Sequence, residues 1–162
     1  MDPSTNGHSG GSGGGPRSPE TLDAQIELSR LEPGHIELRV PAEANQLSLV
    51  RLLVQGIAAR ADFDLDAIDD TVMAVDEACA CLLDHTEPGL PLVCRFTDLE
   101  GELRISVSAS LSHGTEPSTQ RFGWHVLGTL TDSVSMRILP TEIGGHPEAR
   151  IEFAKRPAGV RE

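Results

Sequence analysis

The chain has 162 residues, enough for one domain with a core of its own. Its formal net charge is −12, and a single Lys, Lys155, stands among 25 Asp and Glu, which weighs against direct binding of a nucleic-acid backbone. No apolar run reaches membrane-spanning length, no charged-then-apolar leader opens the chain, and three cysteines (Cys79, Cys81, Cys94) are too few for a secreted disulfide framework. A cytoplasmic protein with no membrane partner is expected.

Residues 1–20 are Gly, Ser and Pro with almost nothing apolar, so they cannot bury enough surface to offset their ordering entropy. A disordered tail is expected there. Residues 21–33 carry Leu22, Ile26, Leu28 and Leu31 and stay open between a short helix and a strand. His35 to Val40 alternates, with Ile36, Leu38 and Val40 on one face, and predicts a strand that Pro41 ends. From Ala44 to Ala61 the period becomes helical through Leu47, Val50, Val54, Ile57 and Ala61.

Leu65 to His85 predicts a second amphipathic helix. Asp64 is its N-cap, and Leu65, Ile68, Val72, Val75, Cys79 and Leu82 form its buried stripe. Glu77, Cys81 and Asp84 share a second face, because residues three and four apart are neighbours. Cys79 and Cys81 point about 200° apart on a helix, so they cannot clamp one metal together. Cys79 reads as a small core residue, whereas Cys81 and Cys94 stay open as redox-active thiols.

Leu92–Thr97 and Leu103–Ala109 predict two strands joined at Glu100-Gly101. Residues 110–120 read as a surface loop, Phe122–Leu130 as a short helix with Phe122 and Trp124 in the core, and Val134–Leu139 as a strand. A second loop at 140–148 leads to a closing strand, Arg150–Ala154, and a loose tail at 157–162. Strand, two helices, two strands, helix and two strands predict an α+β fold, a two-layer sandwich with helices on one face of a mostly antiparallel sheet. The six histidines show no metal-ligand spacing, so no metal site is expected. Nine acidic residues and no Lys or Arg lie between Ala61 and Cys94; the stretch is open between a solvated helix face and a field that steers a basic partner.

The stretch Val75-Asp76-Glu77-Ala78-Cys79-Ala80-Cys81-Leu82-Leu83-Asp84-His85 resembles the N-box of the anti-sigma-factor serine kinases, a branch of the histidine-kinase-like (GHKL) ATPases. Phe122-Gly123-Trp124-His125-Val126-Leu127-Gly128-Thr129-Leu130-Thr131-Asp132-Ser133-Val134 carries the family's Gly, apolar run and Leu-x-Asp-x-Val ending. The pair is most similar to a degenerate actinobacterial branch, and the resemblance covers residues 34–156. It implies a histidine-kinase-like ATPase fold.

In that family the N-box Asn holds Mg²⁺, and here the position is Cys81. An Asp-x-Gly-x-Gly box reads adenine with its Asp; here Ala109 stands for the Asp, and Leu111 and His113 for the glycines. A Gly-x-Gly box before a helix faces phosphate; here it is Arg121-Phe122-Gly123. A last box carries Gly and Thr, of which Glu148-Ala149-Arg150-Ile151 keeps neither, with Ala149 at the Thr position. A thiol is a soft ligand and poor at Mg²⁺. Ala109 cannot accept a hydrogen bond from adenine, and lost glycines remove phosphate-cradling backbone. Together the losses remove on the order of 5 kcal/mol of nucleotide binding.

The resemblance therefore implies an anti-sigma factor that sequesters an alternative sigma factor of the stress or sporulation type. A STAS-type anti-anti-sigma protein would release it, no cofactor is expected, and the protein would be a homodimer. Glu77 matches the family's general base, here without a substrate, and Arg51 matches an Arg on the surface that sigma factor and antagonist share. Two alternatives stay open: an active Mg-ATP-dependent serine/threonine kinase acting on the antagonist, and a cysteine-based redox or metal sensor.

Overall fold

The computed structural model describes residues 34–140 and 145–159. The expectations for 1–20 and 21–33, and part of the 140–148 loop, lie outside the described residues. The first strand, β1 (His35–Pro41), turns Ile36, Leu38 and Val40 toward the helices, as its alternation requires. Its ladder with β2 (Pro91–Leu99) stops where Pro41 faces Pro91, two residues without an N–H to donate. A 3₁₀ turn, Ala44–Gln46, feeds α1 (Leu47–Arg60), which buries Leu47, Val50, Val54, Ile57 and Ala58. The chain then reverses through Asp62, whose φ of 57° is left-handed and tolerated by Asp, while Phe63 plugs the turn into the core.

The second helix, α2 (Leu65–Leu83), starts where Asp64 accepts a hydrogen bond from the Ala67 N–H at 2.8 Å. Its buried stripe differs from the expected one. Leu65 is 79% exposed, and the stripe runs through Ala67, Thr71, Ala74, Val75, Ala78, Cys79 and Leu82. Small residues let the helix axis approach the sheet closely, and the larger Ile68 and Val72 are displaced to the edge of the contact. Leu65, in the first turn, overhangs the end of the core.

The hairpin of β2 and β3 (Glu102–Ser110) closes through Gly101, at φ +78°. The third helix, α3 (Phe122–Leu130), has the expected bounds, and β4 (Ser133–Leu139) and β5 (Glu148–Lys155) complete a sheet of order β1-β2-β3-β5-β4, antiparallel throughout. Phe122 is not in the core: it is 82% exposed, and Leu127 is the residue of α3 that is fully buried. Position 122 opens α3, where the side chain points past the sheet, whereas Trp124 packs partly against the core.

The helices cover one face of the sheet, and the described chain is the expected two-layer α+β sandwich. The core row Leu38, Cys94, Val107, Ile151 and Met136 runs across all five strands beneath them. Lys155 ties the layers, donating to Asp70 of α2 and to the Leu130 carbonyl at the end of α3, each at 2.8 Å. The other face alternates Arg and Glu. Arg95 bonds Glu37, Arg104 bonds Glu102, and Arg137 bonds Glu152. A cavity of about 620 Å³ on that face is lined by Arg95, Arg104 and Arg150 with Glu102 and Glu152.

Candidate functional site

The second face of α2 meets the start of α3. A β-carbon on Gly123 would stand 2.6 Å from Oε2 of Glu77 and 3.6 Å from Sγ of Cys81, so only glycine fits there without displacing the carboxylate. Arg121, the residue that precedes α3, reaches Asp84 at 3.6 Å. Glu77, Cys81, Asp84, Arg121 and Gly123 thus form one cluster, as the helical spacing of the first three and the two family boxes predicted. Burial, and then the nearby Glu77 charge, push the Cys81 thiol up, against the pull of Arg121. Cys81 is therefore a protonated, weakly nucleophilic thiol at neutral pH.

Ala109 and Ala149 face each other across β3 and β5. Both are buried on the helix-facing side, at 3% and 0% exposure. Methyl groups fill the two positions where the family's second and fourth boxes would supply polar atoms, and they offer adenine nothing to bond. The loop after β3 is only partly the surface loop expected. Leu111 and Pro117 are buried, the Leu111 N–H donates to the Pro147 carbonyl at 2.7 Å, and the Ser112 N–H donates to the His85 carbonyl at 2.8 Å. Main-chain bonds and two apolar anchors therefore seat it, which polar composition alone concealed.

These residues do not fit Mg-ATP. Position 81 offers sulfur instead of an amide oxygen, 109 and 149 offer methyls, and Gly123 is already packed against a carboxylate. Among the described residues, no group of three or more His, Cys, Asp or Glu is arranged to hold a metal ion.

Arg51 of α1 is exposed but not free. Its Nε donates to both carboxylate oxygens of Asp76 on α2, at 2.9 and 2.7 Å, so the side chain stands pinned on the helical surface. Leu49, Leu52 and Met73 on the same two helices are each more than half exposed.

Two groupings escaped sequence reasoning. Cys79 on α2 and Cys94 on β2 are free, fully buried thiols, and the neighbouring Cys94 thiol together with burial pushes the Cys79 thiol well up. His113 and His146 stack with ring centroids 4.5 Å apart, and His146 Nδ1 lies 3.1 Å from the Leu111 carbonyl. Both pairs are remote in sequence, and no local pattern marks them.

Comparison with known proteins agrees with this architecture. Residues 40–142 match the family described as the histidine kinase-like ATPase domain. Among curated proteins, the anti-sigma-F factor RsbW of Mycobacterium tuberculosis is 34% identical over 99 residues, 61% of this chain and 59% of that protein. The serine-protein kinase RsbW of Bacillus subtilis is 37% identical over 77 residues, 46% of this chain and 48% of that protein. The matches thus span between about half and three fifths of those relatives' length. A crystal structure of the RsbU and RsbW domains of a Mycobacterium tuberculosis protein superposes with a TM-score of 0.56 at 18% identity, covering 75% of this chain and 32% of that one.

Proposed function

This chain belongs to the histidine kinase-like ATPase domain family, and from that premise we propose that it is an anti-sigma factor that works without nucleotide. It would sequester an alternative sigma factor of the stress or sporulation type in the cytoplasm. A STAS-type anti-anti-sigma protein would release that factor by competing for an overlapping surface. The protein would act as a homodimer.

The observation that carries the reading is the contrast between frame and boxes. The α2–α3 pair keeps the family's packing, while Cys81, Ala109, Arg121 and Ala149 present no ligand set for Mg-ATP. A fold kept without its ligand chemistry is a binding scaffold. Its available surface is that of α1 and α2, where Arg51, Leu49, Leu52 and Met73 are exposed beside an acidic stretch. Acid flanking apolar anchors suits a basic partner, and attraction of that kind sets encounter rate and orientation more than raw affinity.

The kinase reading keeps one observation of its own: Glu77, at the general-base position, still lies against the first turn of α3. Titration of the protein, freed of nucleotide, with a sigma-F-type sigma factor separates the two readings. Anti-sigma action without nucleotide predicts tight binding that changes by less than about 0.5 kcal/mol, roughly twofold, on addition of Mg-ATP. Tenfold tightening by Mg-ATP, or phosphate transfer to the antagonist, would replace this reading with the kinase. Absence of any sigma binding would end the anti-sigma reading.

A further inference from the structure

The uncovered face of the sheet gathers cations on a chain that is acidic as a whole. Glu37 is shared by Arg39 and Arg95, and Glu102 by Arg104 and Arg156, while Arg137 and Arg150 pair with Glu152 and Glu148, so six guanidinium groups meet four carboxylates. The local field of that face is therefore opposite in sign to the net charge of −12.

Strand register brings two of these cations together over one hydroxyl. Arg95 of β2 stands directly across from Ser106 of β3, and Arg104 lies two residues before Ser106, on the same side of the strand. All three line the cavity of about 620 Å³, a volume within the range of small-molecule sites. Arg95 donates through Nε to Glu37 at 2.8 Å, and Arg104 through Nε to Glu102 at 2.7 Å. Their terminal amino groups make no hydrogen bond among the described residues, so both keep donors to offer. The Ser106 hydroxyl is buried and likewise without a partner there. A buried hydroxyl left unbonded is costly, and an oxyanion would accept from it. Glu102 and Glu152 also line the cavity, but each already accepts from arginine, Glu102 from Arg104 and Arg156 and Glu152 from Arg137.

We propose that this cavity binds a small molecule through an oxyanion group, a carboxylate or a phosphate, held between the terminal amino groups of Arg95 and Arg104 with the Ser106 hydroxyl beneath it. Planar guanidinium groups suit both anions, since two parallel N–H bonds match two oxygens. The site lies across the sheet from α1 and α2, so it is separate from the surface assigned to the sigma factor, and its failure leaves that assignment standing.

The test is an NMR titration of the full chain with inorganic phosphate and, separately, with succinate, at constant ionic strength set by chloride. Saturable shifts of the backbone amides of Arg95, Arg104 and Ser106 are expected with at least one probe, and the probe that saturates identifies the anion. Arg104→Gln is expected to weaken that binding about tenfold, and Ser106→Ala about threefold. Arg39→Gln removes the same charge from the same face but outside the cavity lining, and is expected to stay within about twofold of wild type. Shifts that rise without saturation for both probes, or equal weakening by Arg39→Gln and Arg104→Gln, mean a diffuse field without a site and overturn the proposal. So do the same shifts appearing as protein concentration rises with neither probe present, which would assign the face to a second copy of this chain. Should Arg104→Gln fail to fold, Ser106→Ala set against Arg39→Gln decides: equal affinities overturn the site.

Discussion

Arg51 illustrates how one side chain changes meaning when the fold is known. In sequence it is an Arg on the polar side of a helix; in the structure it makes a two-oxygen pair with Asp76 across the α1–α2 hairpin. An exposed pair of this kind contributes little to stability, about 0–1 kcal/mol. A pre-ordered guanidinium at the centre of a contact contributes more to binding. On the proposed function, Arg51→Ala is accordingly expected to weaken capture of the sigma factor and of the antagonist by about 1–3 kcal/mol while the melting temperature barely moves. Unchanged affinity for both partners removes Arg51 from the interface. The face formed by Glu77, Cys81 and Asp84 was legible because three- and four-residue steps are enough to build it. The Cys79–Cys94 pair and the His113–His146 stack were not, since each joins residues whose proximity depends on sheet register and loop path. Leu65 and Phe122 misled for a related reason: hydrophobicity says that burial is favourable, and only the position of the first helical turn says whether a core lies beneath.

At the level of elements, the open face of the sheet is stitched by carboxylates under guanidinium groups. The Glu102 carboxyl is held below its ordinary range by the hydrogen bond from Arg104, with Arg156 adding to it, and Glu37 is held down by Arg39 and then Arg95. A carboxyl with a lowered folded-state pKa contributes stability that is fully present above the unfolded value, about 4.3 for Glu, and is lost as pH falls through the folded value. Melting temperature should therefore drop from about pH 4.5 downward, and Glu102→Gln should flatten that part of the curve. Parallel curves for variant and wild type between pH 5 and 3 would show that the pair carries no linkage. The α2–α3 contact makes a sharper demand. Helix propensity alone would favour alanine over glycine at position 123 by about 1 kcal/mol. The Glu77 oxygen in the way opposes that gain, but it is the end of a flexible side chain that can swing aside, so Gly123→Ala is expected to stay within about 1 kcal/mol of wild type in chemical denaturation. A variant as stable as wild type means that the carboxylate yields freely.

Across the whole described chain, charge is divided between layers. The stretch from Asp62 to Glu87 holds nine acidic residues and no Lys or Arg, whereas the uncovered sheet face presents Arg39, Arg95, Arg104, Arg137 and Arg150 among its glutamates. A net charge of −12 hides this division. On the proposed function a basic partner would be steered to the helical side, and its association rate should then fall several-fold as salt rises above the physiological range while its dissociation rate changes little. Association insensitive to salt would assign the acidic stretch to solvation alone. The α+β architecture was readable in advance because every element announced its own period, and their order left few topologies. The order β1-β2-β3-β5-β4 was not, for strand neighbours are chosen by contacts between distant segments.

The carboxylate that holds Arg121 also has a historical consequence. If Asp84 and Arg121 already tie the start of α3 to α2, the step back toward a nucleotide site at position 121 gives up that link before it gains anything. Glycine at 121 would forfeit the link to Asp84, and an amide at 81 would still find methyls at 109 and 149. Cys81→Asn alone is expected to show no Mg-ATP binding by calorimetry, and low-micromolar affinity in that variant would refute this. On the proposed reading, departure from nucleotide chemistry then behaves as a ratchet: descent through single changes is easy, and return requires several at once.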